Sequence, residues 1–173
     1  MKHTFQIFVV ITLFFSFFFS SCGEDEINGC TNSIACNYNN EANNDDSSCQ
    51  IPIDEILEVT YIDAVVSGSV GEDLISHVHI RNSSCDPVSV KARKVYNGPE
   101  ETSAYFCFAG VCFSSSTIES PLALSLDVFE EDDYFKGYLA AETPGTYEVT
   151  YRFYIENSDP IQLTNVTIIY EFN

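Results

Sequence analysis

The stretch PGTYEVTYRFYIENSDPIQLTNVTIIYEF, residues 144–172, decides the fold. Its first half places an apolar side chain at every second position from Tyr147 to Ile155, with polar side chains between them. After a turn at residues 157–160 the second half alternates again, and its core face is expected to carry Thr164, Val166, Ile168, Tyr170 and Phe172. A period of two is typical of a half-buried strand, so the stretch predicts an antiparallel hairpin with one face in a core.

The same pattern recurs upstream in short runs separated by Gly, Pro, Asn and Ser, and no stretch has the pattern of a long helix. Strands are predicted at residues 56–66, 74–82, 88–96, 104–108, 112–115, 122–126, 134–140, 146–156 and 162–172. The acidic run Glu130–Asp133 falls between two of them and is expected to be a solvated loop. Spacing of this kind predicts an all-β domain, an antiparallel β-sandwich over residues 55–173.

Several motifs of this region resemble immunoglobulin-like domains. The segment Pro144–Tyr151 is similar to the P-G-x-Y-x-V-x-Y start of their penultimate strand. Together with Val78–Asn82, Pro87–Lys91, Tyr105–Cys107 and Gly110–Cys112, it makes residues 55–173 resemble an immunoglobulin-like module of secreted Bacteroidota proteins, found ahead of type IX sorting domains. The resemblance implies an immunoglobulin-like sandwich, and it implies no reaction.

A different composition precedes the sandwich. Residues 29–50, GCTNSIACNYNNEANNDDSSCQ, have no apolar periodicity and are rich in Asn, Asp and Ser, which favour turns. Such a segment buries too little apolar surface to fold without covalent cross-links such as disulfides. It resembles a GCTD-x-x-ACNYNP-x-A-x-x-DDGSC repeat of secreted Bacteroidota proteins, with Asn40 in place of the proline and Ser47 in place of the glycine. Residues 51–54 form the connector to the sandwich.

Cysteine spacing predicts a set of disulfides. The chain has Cys 7, and six remain when Cys22 is set aside. Cys107 and Cys112 flank a segment with the glycine of a hairpin turn, and a bridge from Cys30 to Cys49 would stabilise the repeat by about 3 kcal/mol. Cys36 and Cys85 are then left to pair with each other, and this connectivity is a hypothesis.

The amino terminus has the pattern of an export signal. A nearly unbroken apolar run, Phe5–Phe19, follows Lys2, which predicts a signal peptide over residues 1–21. Phe19-Ser20-Ser21-Cys22 resembles a bacterial lipobox, which implies cleavage before Cys22 and attachment of diacylglycerol to its sulfur. Ordinary cleavage that leaves Cys22 as a thiol is the alternative. A lipid on Cys22 would anchor the protein to a membrane.

The acidic tether, residues 22–28, carries Glu24, Asp25 and Glu26 directly after the lipobox cysteine. This cluster resembles the export signal of Bacteroidota lipoproteins that reach the cell surface. The resemblance implies a lipid-anchored protein of the outer membrane of a Gram-negative bacterium, displayed at the cell surface, with the periplasmic orientation as the alternative.

Charge excludes one class of partner and indicates another. With Lys+Arg 7 against Asp+Glu 26 the net charge is −19, so nucleic acid is excluded as a ligand. Arg81, Lys91 and Arg93 lie on two strands of a predicted hairpin and would form one basic stripe if their faces coincide. The stripe would bind a protein or a polyanionic glycan, whereas a solvated face balanced by nearby carboxylates is the alternative.

The repeat also carries the oxygen ligands that calcium prefers. They are Asn37, Asn39, Glu41, Asn43, Asp45 and Asp46. The alternative is that these residues only form the turns of a stapled loop. His77 and His79 share one face of a strand but need a third ligand to hold a metal. The sequence therefore requires no cofactor, with calcium as an option.

No motif of a known catalytic site is present. With the cysteines oxidised there is no thiolate nucleophile, and neither a G-x-S-x-G elbow nor a phosphate-binding loop occurs. We therefore expect a non-enzymatic binding or adhesion module of the cell envelope. The alternatives are a structural or assembly component of an envelope complex and, less favoured, a hydrolase that uses a pair of carboxylates.

Overall fold

The computed structural model describes residues 25–158 and 161–173, so the predicted signal peptide, Cys22 and Glu24 lie outside the described residues. The strands are β1 (Asn28–Gly29), β2 (Asn44–Asp45), β3 (Leu57–Ile62), β4 (Val65–Gly68), β5 (Asp73–Asn82), β6 (Val88–Val95), β7 (Thr102–Phe108), β8 (Val111–Phe113), β9 (Leu124–Leu126), β10 (Glu131–Asp132), β11 (Lys136–Ala141), β12 (Gly145–Ile155) and β13 (Leu163–Phe172). In the described part, no helix is long and apolar enough to cross a membrane.

Two sheets pack face to face as a sandwich, as the sequence predicts. In the first sheet β5 pairs with β3 on one side and with β10 and β11 on the other, and β7 and β8 continue the sheet beyond β11. In the second sheet the order is β4, β13, β12, β6 and β9. The fold is therefore immunoglobulin-like, with β3, β5, β11 and β7 in one sheet and β6, β12 and β13 in the other.

The hairpin predicted from residues 144–172 is confirmed. β12 and β13 pair from Gly145↔Phe172 to Tyr154↔Leu163. Val149, Tyr151 and Phe153 of β12 are fully buried. On the predicted core face of β13, Thr164 is half-buried and the other four residues are buried. The alternation decides the register because a slip of one residue would turn every apolar side chain towards water.

Aromatic rings fill the centre of the sandwich. The ring of Phe135 lies 4.9 Å from that of Tyr151 and 4.8 Å from that of Phe153, edge to face in both cases. Gly137 makes room for the tyrosines, since a Cβ at this position would lie 2.7 Å from Tyr151 Cε2 and 2.9 Å from the Tyr170 hydroxyl oxygen. The core therefore requires the absence of a side chain at Gly137.

The strand predicted at residues 56–66 is two strands in different sheets. β3 pairs with β5 in the first sheet, and β4 runs parallel to β13 in the second. The chain crosses at Asp63 and Ala64, where the Ala64 carbonyl accepts a hydrogen bond from the Ile169 amide at 2.9 Å. The crossing lets one segment pair with both sheets, so that β5 and β13 each gain a partner strand for their backbone groups.

The prediction that Glu130–Asp133 is a solvated loop is wrong in part. Glu131 and Asp132 form β10, which pairs with Arg81 and Ile80 of β5. The strand forms because that stretch of β5 needs partners for its backbone groups. Asp132 is half-buried there, and burial raises the pKa of its carboxyl group.

Three disulfides join the pairs that the sequence analysis expects: Cys30–Cys49, Cys36–Cys85 and Cys107–Cys112. The first closes the turn-rich repeat, in which β1 and β2 form a short parallel pair. The second ties the repeat to the segment between β5 and β6. The third joins two residues that face each other across the β7–β8 hairpin.

Candidate functional site

The predicted basic stripe does not exist as one surface, because β5 and β6 are not a hairpin. β5 belongs to the first sheet and β6 to the second. The chain changes sheets after Asn82, which is fully buried and donates from Nδ2 to the carbonyl oxygens of Asp86 and Asp127. Arg81 therefore lies on the outer face of the first sheet, away from Lys91 and Arg93.

The structure brings a different cation to Lys91 and Arg93. Arg152 of β12 is the cross-strand partner of Arg93, and both side chains point away from the core. The three residues form what we call the cationic face: Lys91, Arg93 and Arg152. The alternation of residues 146–156 places Arg152 on the polar face of its strand. Its position beside Arg93 follows only from the pairing of β12 with β6.

Carboxylates balance only part of the cationic face. Lys91 Nζ lies 3.4 Å from Glu156 Oε1, and Arg93 Nη1 lies 3.9 Å from Glu119 Oε2. Arg152 donates from Nε to Asn165 Oδ1 at 3.0 Å and has no ion pair within the described residues. Two arginines thus lie directly opposite each other, and only Arg93 has a carboxylate within ion-pair distance. Like charges in that position destabilise a sheet.

The row next to the arginines offers hydroxyl groups. Thr150 of β12 and Thr167 of β13 are cross-strand partners, and their Oγ1 atoms are 2.9 Å apart. Each hydroxyl can donate or accept a hydrogen bond to a ligand on the outer face. The guanidinium groups of the cationic face therefore lie beside neutral hydroxyl groups on the same side of the second sheet.

On the outer face of the first sheet, three basic side chains lie beside a carboxylate, whereas Lys136 has no ion pair within the described residues. His77 Nδ1 lies 3.0 Å from Asp63 Oδ2, and His79 Nδ1 lies 3.3 Å from Glu131 Oε1. Arg81 Nη2 donates to Glu58 Oε2 at 2.5 Å. That bond, followed by one from Ser83, holds the pKa of the Glu58 carboxyl below its usual range. This arrangement resembles a balanced solvated surface more than a ligand site.

The residues proposed as calcium ligands surround the stapled loop of the repeat. Asn37 Oδ1 accepts from the Gln50 amide at 2.8 Å, and Asp45 Oδ1 accepts from the Ser47 amide at 2.9 Å. Three other proposed ligands also accept hydrogen bonds from backbone amides through their side-chain oxygens: Asn39, Asn43 and Asp46. The last proposed ligand, Glu41, is exposed. Between residues 25 and 173, leaving out 159–160, no three His, Cys, Asp or Glu side chains cluster to hold a metal.

Calcium binding stays a prediction. Its test is a thermal melt of the chain with calcium chloride. A melting temperature that rises with calcium, but neither with magnesium nor in the Asp45→Asn variant, would support the site.

Two residues of the predicted export signal contact the repeat. Asn43 Nδ2 donates to the Asp25 carbonyl oxygen at 3.0 Å, and Asn44 Nδ2 donates to Glu26 Oε1 at 2.7 Å. Asp25 and Glu26 are both exposed. Glu24 and the predicted lipidation site, Cys22, lie outside the described residues, so the export signal and the lipid stay predictions.

Comparison with known proteins identifies no family for this chain. No family model matches it, and no curated protein matches it. Among solved structures, the N-terminal domain of PorA is 15% identical over 68% of this chain and 96% of that one, with a TM-score of 0.49. A conjugative transposon lipoprotein from Bacteroides eggerthii is 13% identical over 68% and 94%, with a TM-score of 0.39. A PapD-like domain of human CEP192 is 12% identical over 69% and 86%, with a TM-score of 0.43. Likeness at this level carries no function from one protein to another.

Proposed function

We propose that this chain is a non-catalytic binding module of the cell envelope, and that it takes an acidic partner on its cationic face. The observation that carries the proposal is the cross-strand pair Arg93 and Arg152. Of the Lys+Arg 7 in the chain, four lie on the paired strands β6 and β12: Lys91, Arg93, Lys94 and Arg152. In a chain of net charge −19, placing two of these few cations opposite each other lowers stability, and an acidic ligand would offset that repulsion.

The chemistry of the face fits two kinds of acidic partner. A guanidinium fork binds the two oxygens of a carboxylate or sulfate at once, and the threonine row beside it can bind hydroxyl groups. An acidic protein segment and a polyanionic glycan both offer such groups. If the partner proves to be another envelope protein, the chain serves as an assembly component.

Membrane attachment completes the proposal. The lipid on Cys22 would hold the module at the outer membrane, and Glu24, Asp25 and Glu26 would direct it to the cell surface. Support comes from the lipobox and acidic-cluster resemblances of the sequence. A strongly negative protein is repelled by anionic headgroups, so attachment would depend on the lipid and not on the sandwich.

The test is binding of the full chain, purified in detergent, to two probes at low salt. Heparin represents a polyanionic glycan, and polyglutamate represents an acidic segment. The variant Arg93→Gln with Arg152→Gln is compared with Arg81→Gln with Lys136→Gln, which removes the same charge from the first sheet. We expect the first variant to lose retention on at least one probe and the second to keep it. Equal retention by both variants, or no retention of the native chain on either probe, would contradict the proposal.

A further inference from the structure

The third cation of β6, Lys94, lies inside the sandwich. Lys94 is only 7% exposed, and its side chain points between the two sheets. Its ammonium group donates to the carbonyl oxygen of Ala104 in β7 at 2.5 Å and to that of Ser115, after β8, at 2.6 Å. These contacts account for two of its three N–H donors.

The charge of Lys94 has no partner of opposite sign. Within the described residues, no carboxylate lies within ion-pair distance of its ammonium group. Two neutral carbonyl groups replace water incompletely, so burial lowers the pKa of Lys94. An apolar side chain of similar length would fill the same space without this penalty, so packing alone does not explain a lysine here.

A cleft of about 580 Å³ opens at Lys94. One part of its wall is cationic, from Lys94 and Arg93, and another is formed by Tyr96, Val95 and Ile118. Ile118 is 57% exposed and offers apolar surface to the cleft. The volume falls in the range of small-molecule sites, which combine apolar walls with a few placed polar groups.

We propose that this cleft binds a small carboxylate whose acid group meets Lys94 and whose apolar body lies against Tyr96 and Ile118. The carboxylate accepts the remaining N–H of the ammonium group and supplies the missing negative charge. The site adjoins the cationic face and shares Arg93 with it, but Lys94 points inward where Arg152 points outward. Because Lys94 belongs only to the cleft and Arg152 only to the cationic face, failure of either proposal leaves the other standing.

The test is an NMR titration of the full chain in detergent with benzoate, with benzamide as the uncharged probe of the same shape. We expect benzoate to shift the amide signals of residues 93–98 and 115–118, and benzamide to leave them in place. Lys94→Met should weaken benzoate binding by about tenfold or more, the loss typical of a charge-assisted hydrogen bond. Equal shifts with both probes, or undiminished binding by Lys94→Met, would overturn the proposal.

A second pair of variants keeps the test decisive if Lys94→Met fails to fold. Ile118 is exposed at the cleft, so Ile118→Glu and Ile118→Gln should both fold. The glutamate places a negative charge beside the ligand, and the glutamine has the same size without the charge. Benzoate binding that falls in Ile118→Glu and persists in Ile118→Gln supports the site, and equal binding by the two contradicts it.

Discussion

Close packing in the core of this sandwich limits which side chains single positions can carry. Gly137 lies in β11 directly against the rings of Tyr151 and Tyr170, which are both fully buried. The Tyr151 hydroxyl donates to the Tyr105 carbonyl oxygen at 3.2 Å, so the ring cannot shift without losing that bond. Sequence patterns predict that the tyrosines are buried, but they give no sign of the glycine, because the contact joins strands from different sheets.

Gly137→Ala should therefore destabilise the protein. The added methyl group would overlap Tyr151, and overpacking of this kind costs about 1–3 kcal/mol. Denaturant unfolding measures the loss. Ala140→Ser, on the outer face of the same strand, is the control and should change the free energy of unfolding by less than about 0.5 kcal/mol. An unchanged unfolding midpoint for Gly137→Ala would contradict the packing described here.

The pair Glu58 and Arg81 makes stability depend on pH in the acid range. The folded state holds the pKa of Glu58 below its ordinary value of 4.5, so the unfolded chain takes up that proton more readily. This contribution to stability is present above pH 4.5 and is lost as the pH falls through the lowered folded value.

Glu58→Gln should remove that dependence. The difference in free energy of unfolding between the native chain and the variant should shrink as the pH is lowered from 6 to 3. Urea unfolding at a series of pH values measures it, with Glu148→Gln on the outer face of the second sheet as the control. A difference that stays constant or grows towards low pH would show that Arg81 does not stabilise the ionised carboxylate.

Local elements were largely predictable from the sequence, and their partners only in part. The hairpin of β12 and β13 follows from alternation, because both strands and their turn are contiguous. The pairing of Cys36 with Cys85 follows from elimination once the two local bridges are assumed. The splitting of residues 56–66 and the separation of β5 from β6 were not predictable, because each depends on contacts distant in sequence.

The disulfides should differ in their effect on stability. Replacing Cys36 and Cys85 with serine opens a loop of sequence separation 49, whereas replacing Cys107 and Cys112 opens one of 5. The chain-entropy relation gives about 4 kcal/mol for the first loop and about 2 kcal/mol for the second. Thermal and urea unfolding of the two double variants compare the losses. A hairpin variant that is the less stable of the two would contradict this order.

At the scale of the whole molecule, the second sheet differs from the first in carrying two arginines opposite each other. Within the described residues, the outer face of the first sheet places carboxylates beside His77, His79 and Arg81 and leaves Lys136 without an ion pair. The second sheet places Arg152, also without an ion pair in that part of the chain, opposite Arg93. The sequence placed Lys91 and Arg93 on one face of a strand, and both lie on the outer face of β6. It joined them to Arg81 in error and missed Arg152, since the sheet that carries a strand is decided by pairing and not by composition.

Raising the salt concentration should weaken ligand binding at the cationic face and should affect binding at the buried Lys94 much less. Screening weakens exposed charges beyond a Debye length of about 8 Å at physiological ionic strength, and buried charges are screened less. Retention on heparin or polyglutamate should therefore fall steeply when sodium chloride is raised, and benzoate binding should change little. Column retention and the NMR titration, each repeated at two salt concentrations, measure this. Equal salt dependence at both places would contradict their assignment as separate sites.

Display at the cell surface is the claim on which a binding role rests. The most direct measurement is protease treatment of intact cells, with the native chain compared to a variant carrying Glu24→Ser, Asp25→Ser and Glu26→Ser. If the acidic cluster directs export, as proposed, the native protein is digested and the variant is protected. Protection of both proteins would contradict display and place the sandwich in the periplasm.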